Sequence, residues 1–388
     1  MEYEIKTGNC VDVMRGMDAD SVDTIITSPP YWGLRDYGGD GQVWGSHLCT
    51  RDDDTYVNHE WDVYERPSEN SRKNDNSLQL KSAYWEPQEQ AYCKHCDAWF
   101  GQLGLEPTPE QYVKNMVQVF REARRILKPE GTLWLNLGDS YCAGTRKSTT
   151  PQTMHNGDAR DVPLNRRNEA SGYLKNKDLV GIPWRVAFAL QEDGWWLRQD
   201  VIWAKPNCMP ESVTDRCTKN HEYVFMFTKS AKYYFDNEAI KEPTKGGASS
   251  KKPAKEQTFR YGDDDSWAVD GDRSRIMKAT GIAHARTKDY QKRNKRSVWW
   301  VSPKPFKEAH FAVFPIELIE PMVLAGCPHG GTVFDPFGGS GTTVVTALKN
   351  GRNAIIAELK EEYVEIAKER IEAFRREVGI DKTKVEWI

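Results

Sequence analysis

The stretch that decides the fold is Gly331-Thr332-Val333-Phe334-Asp335-Pro336-Phe337-Gly338-Gly339-Ser340-Gly341-Thr342-Thr343. It places a short strand, a glycine-rich turn and a helix start in succession. Glycines let the backbone come close to a ligand, and a helix start offers free N–H groups. After the helix Val344 to Leu348, the run Asn353-Ala354-Ile355-Ile356-Ala357 reads as another strand, ending at Glu358. An acidic residue one βαβ unit past the glycines can accept hydrogen bonds from both hydroxyls of a ribose. The order suits a nucleotide-like ligand. No lysine follows the glycines, which argues against a phosphate-binding loop. Asp335 at the strand end suits a cationic or amine-bearing ligand better than a polyphosphate.

Working outward, the same alternation recurs. Thr108-Pro109-Glu110-Gln111 carries an N-cap threonine, proline at the first helical position and glutamine three residues after the cap, a helix-start signature. Tyr112, Val113, Met116, Val117, Phe120, Ala123, Ile126 and Leu127 follow at helical spacing. Pro129-Glu130-Gly131 then breaks the pattern, and Thr132 to Leu137 reads as a buried strand. Gly181 to Glu192 followed by Trp195 to Trp203 repeats this helix-to-strand grammar. Repeated alternation predicts an α/β fold with a mostly parallel sheet.

Val22 to Thr27 is a β-branched run that ends in Ser28-Pro29-Pro30-Tyr31-Trp32. It reads as a strand feeding a rigid loop at the carboxyl edge of the sheet, where open α/β folds bind ligands. Adjacent prolines leave carbonyl oxygens without N–H groups of their own, and those carbonyls and the Ser28 hydroxyl can accept hydrogen bonds from the NH2 group of a base. An exocyclic amine is a poor nucleophile because its lone pair is delocalised into the ring. Acceptors that hold its hydrogens favour the pyramidal form that attacks an electrophilic methyl, and no covalent enzyme intermediate is required. Tyr31 can stack on a base flipped out of its duplex. A cytosine-C5 mechanism would need a Pro-Cys nucleophile, which the cysteine neighbourhoods do not supply.

With these two motifs in this order, the chain resembles the permuted β class of DNA amino-methyltransferases, in which the catalytic tetrapeptide precedes the cofactor glycines and target recognition lies between. The resemblance runs through Ser21 to Tyr37, Gly101 to Tyr141, Gly181 to Asn207, Pro210 to Ser230 and His310 to Arg370. It implies a Rossmann-like methyltransferase fold with an inserted target-recognition region. Ser28, Pro29, Pro30 and Tyr31 are then catalytic. Asp335, Phe337, Gly338, Gly339, Ser340, Gly341, Thr342 and Glu358, with Phe311, Phe314 and Pro315 from the motif before the glycines, bind S-adenosylmethionine. Serine at the head of the tetrapeptide resembles the N4-cytosine subset, with N6-adenine as the alternative. The implied partners are double-stranded DNA and a cognate restriction endonuclease. A non-catalytic DNA-binding protein on a relic methyltransferase fold, or an enzyme acting on RNA or protein amines, are the competing readings. One departure is Asn9, where the family usually has aspartate.

The expected organisation is 1–37 for the catalytic-loop part of the core, 38–100 for a polar insertion, 101–205 for core, 206–298 for target recognition and 299–388 for the cofactor part. Within the insertion, Cys93-Lys94-His95-Cys96 has metal-ligand spacing, and Cys49 and His59 lie upstream. Cys49, His59, Cys93 and Cys96 are thus candidate ligands of a structural zinc ion, against the alternative of unpaired loop thiols. The net charge of −3 over 388 residues does not advertise a nucleic-acid partner, so DNA contacts must come from local clusters such as Arg166-Arg167, Lys251-Lys252 and Lys292-Arg293. No run approaches the ~18 apolar residues that span a bilayer. The acidic start Met1-Glu2-Tyr3-Glu4 lacks a signal-like apolar segment. A soluble cytoplasmic protein of prokaryotic or viral type is expected.

Overall fold

The computed structural model describes residues 1–33, 41–45, 49–50, 56–57, 59, 61–63, 91–93, 95–96, 98–142, 173–243, 292–304 and 313–379. Its centre is an eight-stranded sheet of β1 (Tyr3–Thr7), β2 (Val22–Thr27), β9 (Leu127–Leu137), β10 (Trp196–Ala204), β11 (His221–Thr228), β14 (Val298–Trp300), β15 (Thr332–Asp335) and β16 (Asn353–Glu358). The strand order is β1-β16-β15-β2-β9-β11-β10-β14. Every neighbouring pair is parallel except those made by β11, which runs against both β9 and β10. The expected mostly parallel α/β sheet is what the chain forms.

Among the described residues six helices pack on it: α1 (Cys10–Arg15), α2 (Pro109–Ile126), α3 (Ile182–Glu192), α4 (Ile316–Gly326), α5 (Thr342–Lys349) and α6 (Glu361–Val378). Side chains alternate across a strand, so Ile25, Leu133 and Leu135 join the cluster built with α1, α2 and α3. Thr24, Thr132 and Trp134 turn the other way and meet Gly326 at the end of α4. Helices on both faces explain why the central strands read as continuous apolar runs.

The N-cap expected at Thr108 is present, its hydroxyl accepting from the Gln111 N–H at 3.2 Å. Asn9 caps α1 in the same way, accepting from Val11 at 2.8 Å, so the amide does there what an aspartate would. The break at Pro129-Glu130-Gly131 takes a different form from the one expected. β9 already pairs Leu127 with Val22 and re-engages β2 at Thr132 opposite Thr24, so these residues form a bulge inside one strand.

Between β2 and α2 the polar insertion has strands of its own. β3 (Gln42–Trp44), β6 (Trp61–Val63), β7 (Ala91–Cys93) and β8 (Trp99–Gly101) form a sheet in the order β3-β8-β7-β6, and β4 (Cys49–Thr50) pairs with β5 (Tyr56–Val57). Trp44 and Trp99 are fully buried and belong to the main core cluster, which anchors the insertion.

The chain divides into two compact units, Met1–Asp236 with Ser297–Ile388, and Asn237–Arg296. Residues 221–228 are a strand of the central sheet, and Asn237–Arg296 is the smaller unit. In that smaller unit β12 (Glu242–Pro243) pairs with β13 (Lys292–Arg293), and Glu242 accepts from both Arg293 and Arg296. Arg166, Arg167, Lys251 and Lys252 lie outside the described residues. No described helix is long and apolar enough to cross a membrane.

Gly326 is a sharp test of the sheet–helix contact. A Cβ there would lie 2.4 Å from Thr132 Oγ1 and 2.9 Å from Trp134 Nε1, and Thr132 and Thr24 are already locked by a buried hydroxyl contact of 2.7 Å. Gly326→Ala should therefore destabilise the fold by roughly 1–3 kcal/mol, read as a lower urea midpoint at unchanged m-value.

Candidate active site

Because β1, β16, β15, β2 and β9 are parallel, Thr7, Glu358, Asp335, Thr27 and Leu137 all end at one edge. β11 runs the other way, so its beginning, His221 and Glu222, reaches the same edge, with Tyr223 opposite Leu137. The glycine turn and the proline loop leave β15 and β2, which are neighbours.

Asp335 joins the two motifs. Its Oδ1 accepts from the Thr27 hydroxyl at 2.7 Å and the Phe337 N–H at 3.0 Å, and its Oδ2 from the Thr343 hydroxyl at 2.7 Å. The carboxyl is 1% exposed. Burial pushes its pKa up to about 6, against the three hydrogen bonds that favour the charged form. Both oxygens are engaged by protein donors, so Asp335 shapes the site where the sequence reading had it facing an amine.

The glycines divide the work of the turn. A Cβ on Gly338 would sit 2.6 Å from the Ile356 side chain, and one on Gly341, at φ +75°, would press on Ala367 of α6. Among the described residues only the Phe337 carbonyl lies within 4.0 Å of where a Cβ on Gly339, at φ +51°, would be. The described residues leave that side of the turn uncovered, and the head of α5 carries no side-chain cap, a fit for a ligand lying against backbone N–H groups. Ser340 and Thr342 are buried and held from behind by Arg370, which donates to Ser340 Oγ at 2.9 Å and Thr342 Oγ1 at 2.7 Å. Glu358 accepts from the Gly339 N–H at 2.8 Å and the Lys360 N–H at 3.0 Å. Burial raises its pKa, and each oxygen keeps a second lone pair for a ribose hydroxyl. Phe337 is half-buried beside this turn. Pro315 caps α4, which packs along α5, with Phe314 just before it; Phe311 lies outside the described residues.

In the proline loop Pro29 is buried and Ser28, Pro30 and Tyr31 are half-buried. Ser28 Oγ donates to the Tyr31 hydroxyl at 3.2 Å. That hydroxyl in turn faces Glu222 Oε2 at 2.8 Å and Asn136 Oδ1 at 3.0 Å. Asn136 Nδ2 donates to the same Glu222 oxygen at 3.1 Å and to the Tyr223 carbonyl at 3.1 Å. Lys205 pairs with the other Glu222 oxygen. The Tyr31 ring lies so close over Gly138 that a Cβ there would come within 2.6 Å of it.

The loop is supported from below. The Pro30 carbonyl accepts from the Tyr112 hydroxyl at 2.9 Å, so that oxygen already has a protein donor. Trp32 Nε1 donates to the Glu106 carbonyl at 2.9 Å, and Gly33 N–H to the Gly104 carbonyl at 2.9 Å. Glu106, 1% exposed, accepts from the Gly104 N–H at 2.8 Å and Asn115 Nδ2 at 2.9 Å. Burial raises its pKa to about 8.

Tyr112, Val113 and Met116 were read only as a helix face, and Asn136, Lys205, Glu222, Glu106 and Arg370 carried no recognisable signal. His221-Glu222 opens an apolar strand, but nothing local says that the strand runs backwards. In the insertion the ligand atoms of His59, Cys93 and Cys96 lie within 4.8 Å of one another. The backbone of Cys49 is in β4, and its side chain lies outside those described. Cys10, Cys142 and Cys327 are buried, Cys208 half-buried and Cys217 exposed, all free thiols.

Fold and site define a class: an α/β sheet with a nucleotide-type glycine turn and a proline loop side by side at the carboxyl edge of neighbouring parallel strands. The chain belongs to the DNA methylase family, whose profile matches residues 22–369. It is 36% identical over 368 residues to the Type II methyltransferase M.SmaI of Serratia marcescens, covering 95% of this chain and 90% of that one. It is 36% identical to the Type II methyltransferase M.Cfr9I of Citrobacter freundii, covering 94% and 86%. Its fold is similar to that of the PvuII DNA methyltransferase (cytosine-N4-specific), with a TM-score of 0.50 at 15% identity, covering 100% of this chain and 89% of that one.

Glu106 makes stability pH-dependent. Its folded pKa lies above the ordinary 4.5, so the native state binds this proton more tightly than the unfolded chain. The contribution is full below about 4.5 and is lost as pH rises through about 8. Tm should fall between pH 6 and 9, and Glu106→Gln should flatten that fall; an equal slope in both proteins would show that Glu106 does not cause it.

Proposed function

We propose that this chain is a site-specific DNA methyltransferase that moves a methyl group from S-adenosylmethionine to the exocyclic N4 amine of cytosine in duplex DNA, the target base being flipped out. The supporting observation is the direction of the hydrogen bonds at the proline loop. Ser28 gives its proton to Tyr31, and Tyr31 points its own at Glu222, whose other oxygen pairs with Lys205. Ser28 Oγ is thereby turned into an acceptor toward the base, which is what an amine needs to localise its lone pair.

S-adenosylmethionine supplies an electrophilic methyl on sulfur when bound. Gly339 and the uncapped head of α5 would hold it, with Glu358 on its ribose and Phe337 and Phe314 beside it. Once nitrogen carries the new methyl it must shed a proton. That proton goes to Ser28 Oγ as Ser28's passes to Tyr31 and Tyr31's to Glu222, leaving a neutral carboxylic acid to be deprotonated by solvent. The Tyr31 ring, backed by Gly138, offers a face on which the base stacks.

Serine at position 28 favours cytosine N4; adenine N6 is the alternative that the same geometry would serve. The unit Asn237–Arg296, with the chain on either side of it within 206–298, would read the DNA sequence, its cations engaging phosphates in a salt-dependent way. As a soluble cytoplasmic enzyme of the Type II kind it would act alongside a cognate endonuclease.

The test is mass spectrometry of nucleosides from duplex DNA incubated with the protein and labelled S-adenosylmethionine. N4-methylcytosine is expected; N6-methyladenine would overturn the base assignment, and label on RNA or on no nucleic acid would overturn the function. Ser28→Ala and Glu222→Gln should each lower kcat by about 10²–10⁴-fold with cofactor affinity unchanged. Full turnover in either would remove that residue from the proton path.

A further inference from the structure

The insertion holds a cluster of side chains that the methyl-transfer site does not use. β7 ends at Cys93, the chain reverses through His95 and Cys96, and β8 begins at Trp99; the reversal is closed by the Cys93 N–H donating to the Ala98 carbonyl at 2.9 Å. Inside it the His95 N–H points at Cys93 Sγ at 3.5 Å, the kind of outer-shell bond that supports a thiolate ligand. His59 enters from the neighbouring strand, two residues before Trp61, which pairs with Cys93.

The ligand atoms are gathered, and one pair stands at the spacing of a coordination shell. The three ligand atoms lie within 4.8 Å of one another, and Cys96 Sγ is 3.6 Å from His59 Nδ1. With Zn–S near 2.3 Å and Zn–N near 2.0–2.1 Å, tetrahedral geometry puts a sulfur and a nitrogen ligand roughly 3.5 Å apart. Among the described residues the ring of His59 joins the two cysteines, and His95 places its backbone N–H on Cys93.

The surroundings explain why an ion would be needed. Trp44 and Trp99 tie one side of this small sheet to the main core, while around the three ligands the apolar cluster, among the described residues, is Cys93 and Ala98 packed by Val43 and Cys96. That local cluster is small, and a metal is the usual substitute for a core of that size.

We propose that His59, Cys93 and Cys96 ligate a structural zinc ion that orders the insertion and, through β8, steadies the catalytic loop. The path is short. Trp44 Nε1 holds the Gly101 carbonyl at 3.0 Å, and three residues on, Gly104 abuts Pro30 and bonds to Gly33. Two thiolates and an imidazole select zinc over magnesium or calcium, which take oxygen ligands. The site stands whatever base the enzyme methylates.

Metal analysis of the untagged, full-length protein tests it. About one zinc per chain is expected, falling at least fivefold in Cys93→Ser and Cys96→Ser and unchanged in Cys217→Ser, whose thiol is exposed elsewhere. If the serine variants fail to fold, the native chain stripped by a chelator and given cobalt(II) reads the ligands directly. A thiolate-to-cobalt charge-transfer band with strong tetrahedral visible bands supports the site. No bound zinc together with a weak octahedral cobalt spectrum overturns it, as does zinc retained in both serine variants.

Discussion

The carboxylate of Asp335 is the constraint on which the rest of the active site depends. It is taken from water, at a cost that shows in its raised pKa, and it is kept there by donors from three places: the end of β2, the turn after β15 and the first turn of α5. Buried polar groups of this kind are costly when half satisfied and specifying when fully satisfied. Thr27 is the residue just before Ser28. The bond between Thr27 and Asp335 therefore fixes, to within one residue, where Ser28 stands relative to a glycine turn more than three hundred residues away in the chain. An error in sheet register would separate the two, so the sheet and the chemistry are specified together.

From that fixed point the site is built as a gradient of hydrogen-bond direction. Ser28, Tyr31 and Glu222 form a line in which the Ser28 hydroxyl points at Tyr31 and the Tyr31 hydroxyl at Glu222, and Lys205 and Asn136 hold the far end. The supporting residues keep that line still: Tyr112 on the Pro30 carbonyl, Glu106 under Gly104, Gly138 beneath the Tyr31 ring. For a direct transfer, where the enzyme supplies no covalent intermediate, such preorganisation is the main lever available.

How much of this was legible in the sequence follows from what each residue depends on. The strand–turn–helix at Thr332 to Lys349, the capped helix from Pro109 and the strand before Ser28 are written in local patterns, and they appear where local patterns put them. Glycines needed for close approach, such as Gly338 against Ile356, were readable for the same reason. Glu222 was not, because its place depends on β11 running antiparallel between β9 and β10, a fact of topology that no window of residues records. The role of Asp335 was half legible: its position at the strand end could be read, whereas its occupation by Thr27 and Thr343 needed the fold. The insertion offered the cysteine spacing, and only the pairing of β6 with β7 brings His59 to it.

The arrangement also explains why the order of the two motifs along the chain is free. β2 and β15 are parallel neighbours, and what the chemistry requires is their adjacency and their shared edge. Which of them is synthesised first does not enter. β1 and β16 likewise pair in register, Thr7 opposite Glu358, so the first and last strands close on one another at the same edge. A sheet whose first and last described strands are neighbours can be entered at different strands without disturbing the contacts that matter, provided the new connections run over the surface. Permutation of motifs within such a fold is then a change in connectivity at constant geometry, and the Asp335–Thr27 bond is the feature whose preservation keeps the site intact across it.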